Sequence, residues 1–285
     1  MFAEPPRTRF DLHFNVAGFP VRISPWFWFM GLMLGLSSQG RGKYDLSVVL
    51  IWIVAMFISI LVHELGHAFA TRYFGWRSRI ILYQLGGLAT VESGEPWLPS
   101  YNEAESSPKS RILIALAGPI AGFLLAGILI GLLYAIPASG FGFRLGNPIL
   151  GLGWTLSEAV PPRLAALISF MLYINIFWGL VNLLPVYPLD GGQIARELLS
   201  RKNHREGIER SLQVSVITGS LVAILGAIHF WRNGDFGAGL FIGLMFGLLA
   251  FSSYRALQMV RAHGGFDVYG GGGDYEDDDD DWWKK

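Results

Sequence analysis

The feature that most constrains this chain is an uncharged apolar run that leads straight into two histidines and a glutamate. Val48 to Val62 reads VVLIWIVAMFISILV, with Ser59 its single hydroxyl, and His63-Glu64-Leu65-Gly66-His67 follows. Lipid offers no partner to backbone N–H and C=O groups, so a run of this kind must form a helix that satisfies them internally. A helix brings positions i and i+4 to one face, so His63 and His67 project together. Two imidazoles at that spacing can bind one Zn²⁺, and Glu64 beside them can act as general base toward water activated by the metal. The bland alternative is a helix whose histidines hydrogen-bond to neighbours inside a polar bundle. Three ionisable groups at membrane depth are costly, which favours a functional site.

Composition agrees with a membrane protein: 52% of the residues are hydrophobic and 15% are charged. The formal net charge is zero, which gives no ground for a nucleic-acid partner. With no cysteine in the chain, disulfides and thiolate metal sites are excluded, and any zinc must be held by nitrogen and oxygen. Met1 to Phe14 lacks the apolar core and small-residue cleavage site of a removable signal peptide.

Six apolar segments stand out, at about 25–36, 46–74, 112–136, 164–184, 212–230 and 236–254. The first is shorter than the ~20 residues a span needs. The predicted fold is an all-α membrane protein of six transmembrane helices, with a small membrane-associated β-hairpin or sheet between the second and third. Residues 1–19 read as a cytoplasmic N-terminal segment, 20–258 as the transmembrane core and 259–285 as a disordered Gly-rich, acidic tail. Most Lys and Arg residues fall on one side of this arrangement; Arg41, Lys43, Arg144, Arg163 and Arg232 fall on the other. The positive-inside rule then places both termini and the 75–110 region in the cytoplasm of a multi-pass inner or plasma-membrane protein.

Within that region Arg79 to Leu85 carries β-branched and aromatic residues, Gly86-Gly87 punctuates it, and Leu88 to Val91 follows. A hairpin lying near the membrane surface is expected. Glu92 to Pro108 reads as a loop. In the later spans Gly118, Gly122 and Ala126, then Gly219, Ala223 and Ala227, then Gly239, Gly243 and Gly247 recur every four residues, a pattern that lets helices approach closely.

Two histidines need at least one further protein ligand. Asp190 is the leading candidate, with Glu92 next. Asp190 sits in Asn182-Leu183-Leu184-Pro185-Val186-Tyr187-Pro188-Leu189-Asp190-Gly191-Gly192. The two prolines end the fourth helix and the two glycines permit close backbone approach. Locally this fits an ordinary turn as well as a broken helix presenting a carboxylate inward. The histidines' need for a partner favours the second.

A membrane H-E-x-x-H followed by N-x-x-P-x-x-P-L-D-G-G resembles the site-2 protease family of intramembrane zinc metalloproteases, over roughly residues 20–255. The resemblance implies that His63, His67 and Asp190 bind one Zn²⁺ and that Glu64 is the catalytic base. It also implies that Asn182 makes a polar contact to the substrate strand, and that Gly86 and Gly87 belong to a membrane-associated sheet beside the site. Ala117-Gly118-Pro119-Ile120-Ala121-Gly122 looks like the family's G-P-x-x-N element with Gly122 in place of the asparagine. No segment is read as a PDZ domain or other appended module, so a minimal form is expected.

The function expected is intramembrane endoproteolysis of single-span membrane protein substrates near the cytoplasmic side, as part of regulated intramembrane proteolysis. A catalytically inactive scaffold, or a metal carrier using the same zinc site, is the alternative. A carrier has no use for a base beside the ligands. Aspartyl chemistry is disfavoured because Asp190 has no second intramembrane aspartate.

Overall fold

The computed structural model describes residues 7–37, 45–83, 86–91, 107–145, 152–201, 203–232 and 236–262. Gln84 and Leu85, Glu92 and most of its loop, and the Gly-rich acidic tail lie outside the described residues. The described chain divides into two compact units: residues within 4–91 and 117–181 form one, and residues within 92–116 and 182–285 form the other.

In the first unit, strands β1 (Leu12–Val16) and β2 (Phe19–Ile23) precede helix α1 (Pro25–Ser37), and α2 (Leu46–Tyr73) follows. Strands β3 (Ser78–Tyr83) and β4 (Gly86–Val91) come next, then α3 (Pro108–Ala135), whose first turns belong to the other unit. A 3-10 turn at Pro137–Ser139 leads to a small antiparallel pair, β5 (Gly142–Leu145) with β6 (Leu152–Thr155). Helix α4 (Pro162–Tyr173) passes through a π-helical stretch at Ile174–Trp178 into α5 (Gly179–Asn182).

The expected hairpin is present, with Tyr83 opposite Gly86 and Leu82 opposite Gly87. It belongs to a four-stranded sheet of order β1-β2-β3-β4, in which β2 runs parallel to β3. Two of those strands, β1 and β2, fall where a cytoplasmic N-terminal segment and the start of the transmembrane core were expected. They form because Leu12–Val16 and Phe19–Ile23 are joined by two residues with positive φ, Ala17 at 51° and Gly18 at 78°. That backbone matches the twist of a tight hairpin. The Arg72 guanidinium donates to the Ala17 and Gly18 carbonyls (3.2 and 3.0 Å) and lies 3.5 Å over the Phe19 ring, which ties this turn to the end of α2. Phe19, Val21, Ile23, Ile80 and Leu82 are buried in one core with Phe27, Ala55, Ile60 and Ala68 of α1 and α2.

Helix α2 is 28 residues long, about 42 Å at the usual rise, ample for a bilayer core. Asp45 caps it, its carboxylate accepting from the Ser47 N–H at 2.8 Å. Gly75, at φ 89°, turns the chain out of its other end.

The second unit holds α6 (Asp190–Leu199), α7 (His204–Arg232) and α8 (Phe236–Ala262). The small residues expected to let α7 and α8 approach do so at Gly219, where a Cβ would lie 3.2 Å from Ala250 Cβ, and at Gly243, where it would lie 3.5 Å from Ala227 Cβ. Gly247 faces open space. Arg111 at the start of α3 pairs with Glu197 of α6 at 2.7 Å.

Among the described residues five helical stretches are long and apolar enough to cross a membrane: Leu46–Tyr73, Pro108–Ala135, Pro162–Asn182, His204–His229 and Gly239–Ala262. The first expected segment forms the 13-residue α1, shorter than a full span. Rows such as Leu124, Ile128 and Leu132 on α3, and Leu240, Leu244 and Leu248 on α8, are exposed. Spaced four apart, they are the apolar faces that helices turn toward lipid. The chain is an integral membrane protein.

Candidate metal centre

Helix α2 places His63, Glu64 and His67 in the interior, all three buried despite their polarity. The i,i+4 spacing brings the two rings to a centroid separation of 4.8 Å at 79°. Their Nε2 atoms stand 3.1 Å apart. Two imidazole nitrogens aimed at nearly the same point can share one proton, or can direct both lone pairs at one cation.

Two glycines make room for this pair. A Cβ on Gly66, between the histidines, would overlap the Ala117 carbonyl of α3, so α2 and α3 touch backbone to backbone there. A Cβ on Gly118 would overlap His67 Nε2 and stand 2.8 Å from His63 Nε2. The backbone of α3 therefore floors the histidine nitrogens where any other residue would intrude. Pro119 beside it is fully buried inside the helix. The sequence singled out Gly118 as a packing residue and as part of the stretch that looks like the family's G-P-x-x-N element, without assigning it a place beside the histidines.

Glu64 is one residue on from His63, about 100° around the helix, so its carboxylate leaves the histidine face. It lies against β4: a Cβ on Gly87 would overlap Glu64 Cγ, Cδ and Oε1. Gly87 is thus required for the close approach of strand and carboxylate. Gly86, at φ 121°, sits where glycine is needed for the turn. Among the described strands β4 is an edge of the sheet. Burial, and secondarily the charge of Glu64, pushes the Tyr83 phenol above its ordinary range. Tyr83 had drawn no attention in the sequence, since a tyrosine ending a strand is unremarkable without its neighbour.

One turn from this pair on α2, Ser59 accepts from Asn175 Nδ2 at 2.8 Å, and the same amide donates to the Met171 carbonyl at 2.8 Å. Asn175 lies in the π-helical stretch, which re-aims side chains locally. Gly122, which replaces the asparagine of the family element, faces this amide: a Cβ there would stand 3.3 Å from Asn175 Oδ1. A buried asparagine in the run Tyr173-Ile174-Asn175-Ile176-Phe177 was the sequence signal for it.

In the second unit Asp190 is the first residue of α6 and is buried, as is Asn182. A helix N-terminus favours a negative side chain. The segment before it is wound tightly: the Val186 N–H donates to the Leu184 carbonyl (2.7 Å), and the Leu189 N–H to the Val186 carbonyl (2.8 Å). A Cβ on Gly191 would overlap the Leu183 and Leu184 carbonyls, and one on Gly192 the Val186 and Tyr187 backbone. That is why two glycines follow the aspartate. His63, His67 and Asp190 are each buried and each offers one ligand atom. Imidazole nitrogen with carboxylate oxygen, and no thiolate, is a donor set that suits Zn²⁺.

Paired imidazoles, a carboxylate on the neighbouring face and a strand edge against it define a candidate hydrolytic metal centre within a membrane protein. The sequence profile of Peptidase family M50 matches residues 51–226, and the chain belongs to that family. It is 26% identical over 215 residues to zinc metalloprotease MJ0392 of Methanocaldococcus jannaschii, covering 74% of this chain and 51% of that protein. To stage IV sporulation protein FB of Bacillus subtilis it is 28% identical over 209 residues, covering 71% and 57%. The chain spans about half the length of the curated relatives it matches. The solved structure of the site-2 protease from M. jannaschii aligns with a TM-score of 0.49 at 20% identity, covering 86% of this chain and 94% of that one. The resemblance to site-2 proteases drawn from the two motifs is borne out by the family match.

Proposed function

We propose that this protein is an intramembrane zinc endopeptidase that cleaves membrane-spanning segments of substrate proteins near the cytoplasmic face, as a step of regulated intramembrane proteolysis. The observation that carries the reading is the convergence of His63 and His67 Nε2 to 3.1 Å, with Glu64 buried beside them against β4. His63, His67 and Asp190 hold one Zn²⁺. The six expected segments are kept, with α1 as a partly embedded one, and both termini are cytoplasmic.

Bound zinc supplies Lewis acidity that polarises the scissile carbonyl and acidifies water. Glu64 takes the water proton on its carboxylate and passes it to the leaving amine. The substrate helix is fully hydrogen-bonded and must open locally before attack. Its extended backbone adds to the edge of β4 at Gly86 and Gly87, which brings the chain past Glu64. Asn182 contributes a side-chain amide to that strand. A scaffold or metal carrier would need neither a carboxylate at this position nor a strand edge against it.

The test is zinc content and cleavage of a single-span model helix, measured on the same detergent-solubilised preparations. Wild type should hold one zinc per chain. Glu64→Gln should keep zinc and lose about 10²–10⁴-fold in cleavage rate. His67→Ala should lose both. Asp190→Asn should bind zinc more weakly, since a neutral amide is a poorer ligand than a carboxylate. Wild-type cleavage by Glu64→Gln would end the protease reading, and full zinc with full activity in Asp190→Asn would move the third ligand elsewhere.

A further inference from the structure

We infer that Ser215 and Ser253 are positioning residues that fix the Asp190 segment from the two last membrane helices; the inference rests on the proposed ligand role of Asp190. The Tyr187 N–H donates to Ser215 Oγ at 2.5 Å. Ser215 and Ser253 hydroxyls are 3.0 Å apart. Ser253 donates to the Tyr187 carbonyl at 3.4 Å. Only one assignment of protons satisfies all three contacts. Tyr187 N–H donates to Ser215, the Ser215 hydroxyl to Ser253, and the Ser253 hydroxyl to the Tyr187 carbonyl. The ring closes on a single residue and uses both polar groups of its backbone.

Serines in apolar helices ordinarily bond their own helix three or four residues back. Ser211 and Ser252 do so here, donating to the Ile208 and Leu249 carbonyls. Ser215 and Ser253 instead turn away from α7 and α8 to the loop, and both are completely enclosed, at 1% and 0% exposure. Irregular backbone at membrane depth is tolerated only where its polar groups are answered. Tyr187 lies three residues before Asp190, and Gly192 packs against the Tyr187 backbone. Fixing that one peptide therefore fixes the position from which the Asp190 carboxylate departs. Groups that orient a metal ligand without touching the metal typically control affinity by about 10–100-fold.

The experiment uses the full chain in detergent with Ser215→Ala, Ser253→Ala and the double variant, and Ser252→Ala and Asp190→Asn alongside. Zinc affinity is read by chelator competition, and ligand geometry by the visible absorption of the Co²⁺-substituted protein. Each single variant should bind zinc about 10–100-fold more weakly and alter the cobalt spectrum. The double variant should do little worse than either, because breaking one bond opens the ring. Ser252→Ala should match wild type. Should the double variant fail to fold, the two singles decide. Wild-type affinity and spectrum in both single variants, with Asp190→Asn clearly altered, overturns the clamp while leaving the ligand assignment intact. If Asp190→Asn is itself indistinguishable from wild type, the ligand assignment fails and the inference falls with it.

Discussion

Gly118→Ala tests the metal centre through its floor rather than its ligands. The added Cβ would stand 2.8 Å from His63 Nε2 and closer still to His67 Nε2, whereas ordinary contact begins at 3.4 Å. His63 must therefore retreat by about 0.6 Å and His67 by more, while zinc–nitrogen bonds near 2.0–2.1 Å tolerate roughly ±0.2 Å. Overpacking of this kind costs about 1–3 kcal/mol, and charged to the ligands it weakens zinc by about 5- to 150-fold. Alanine is the better helix former by about 0.8–1 kcal/mol, so lost affinity could not be put down to a weakened α3. Gly127→Ala and Gly131→Ala supply the comparison, since a Cβ at either position meets nothing within 4 Å. Chelator-competition titration of the purified variants measures the effect. A dissociation constant for Gly118→Ala equal to that of the two controls would refute the reasoning.

Gly87→Ala should leave zinc at one per chain but slow cleavage, because its Cβ overlaps the Glu64 carboxyl; unchanged turnover would remove β4 from the mechanism. Cysteines introduced at Arg41, Arg77 and Ala138 meet no native thiol background, and a membrane-impermeant maleimide should label 41 and 138 from outside and 77 only after lysis. The raised Tyr83 phenol contributes stability that is complete below its ordinary value of 10.0 and is lost as pH climbs through the folded-state value. Tyr83→Phe should thus flatten the alkaline fall in thermal midpoint, and an unchanged slope would count against it.

The parts legible in the sequence are those written in one short stretch. The pair at His63 and His67 needs only helix periodicity, and the hairpin at 79–91 needs only β-branched content and a glycine pair. Strands β1 and β2 were hidden because the positive φ at Ala17 is carried by an alanine, a residue that rarely takes it. The pairing of β2 with β3 joins residues about sixty apart, which no local pattern reports. The role of Gly118 beside the histidines and that of Asn175 were hidden for the same reason: each matters through a side chain on another helix. The length of α1 was the one weak point visible in advance, and it is there that the helix falls short of a span.

The one-residue step from His63 to Glu64 separates the two tasks of the centre. Ligands four apart share a face, and on that face α3 can offer only backbone, at Gly118. The base, about 100° away, meets a strand edge that carries no side chain at the point of contact, Gly87. Each glycine is therefore matched to one function of the motif, the first to the histidine nitrogens and the second to the carboxylate. This predicts a clean division between them. Alanine at 118 should change zinc affinity and, through it, turnover, whereas alanine at 87 should change turnover at constant zinc. Were both substitutions to lower zinc equally, the carboxylate of Glu64 would be acting on the metal rather than on water, and its assignment as the base would have to be given up.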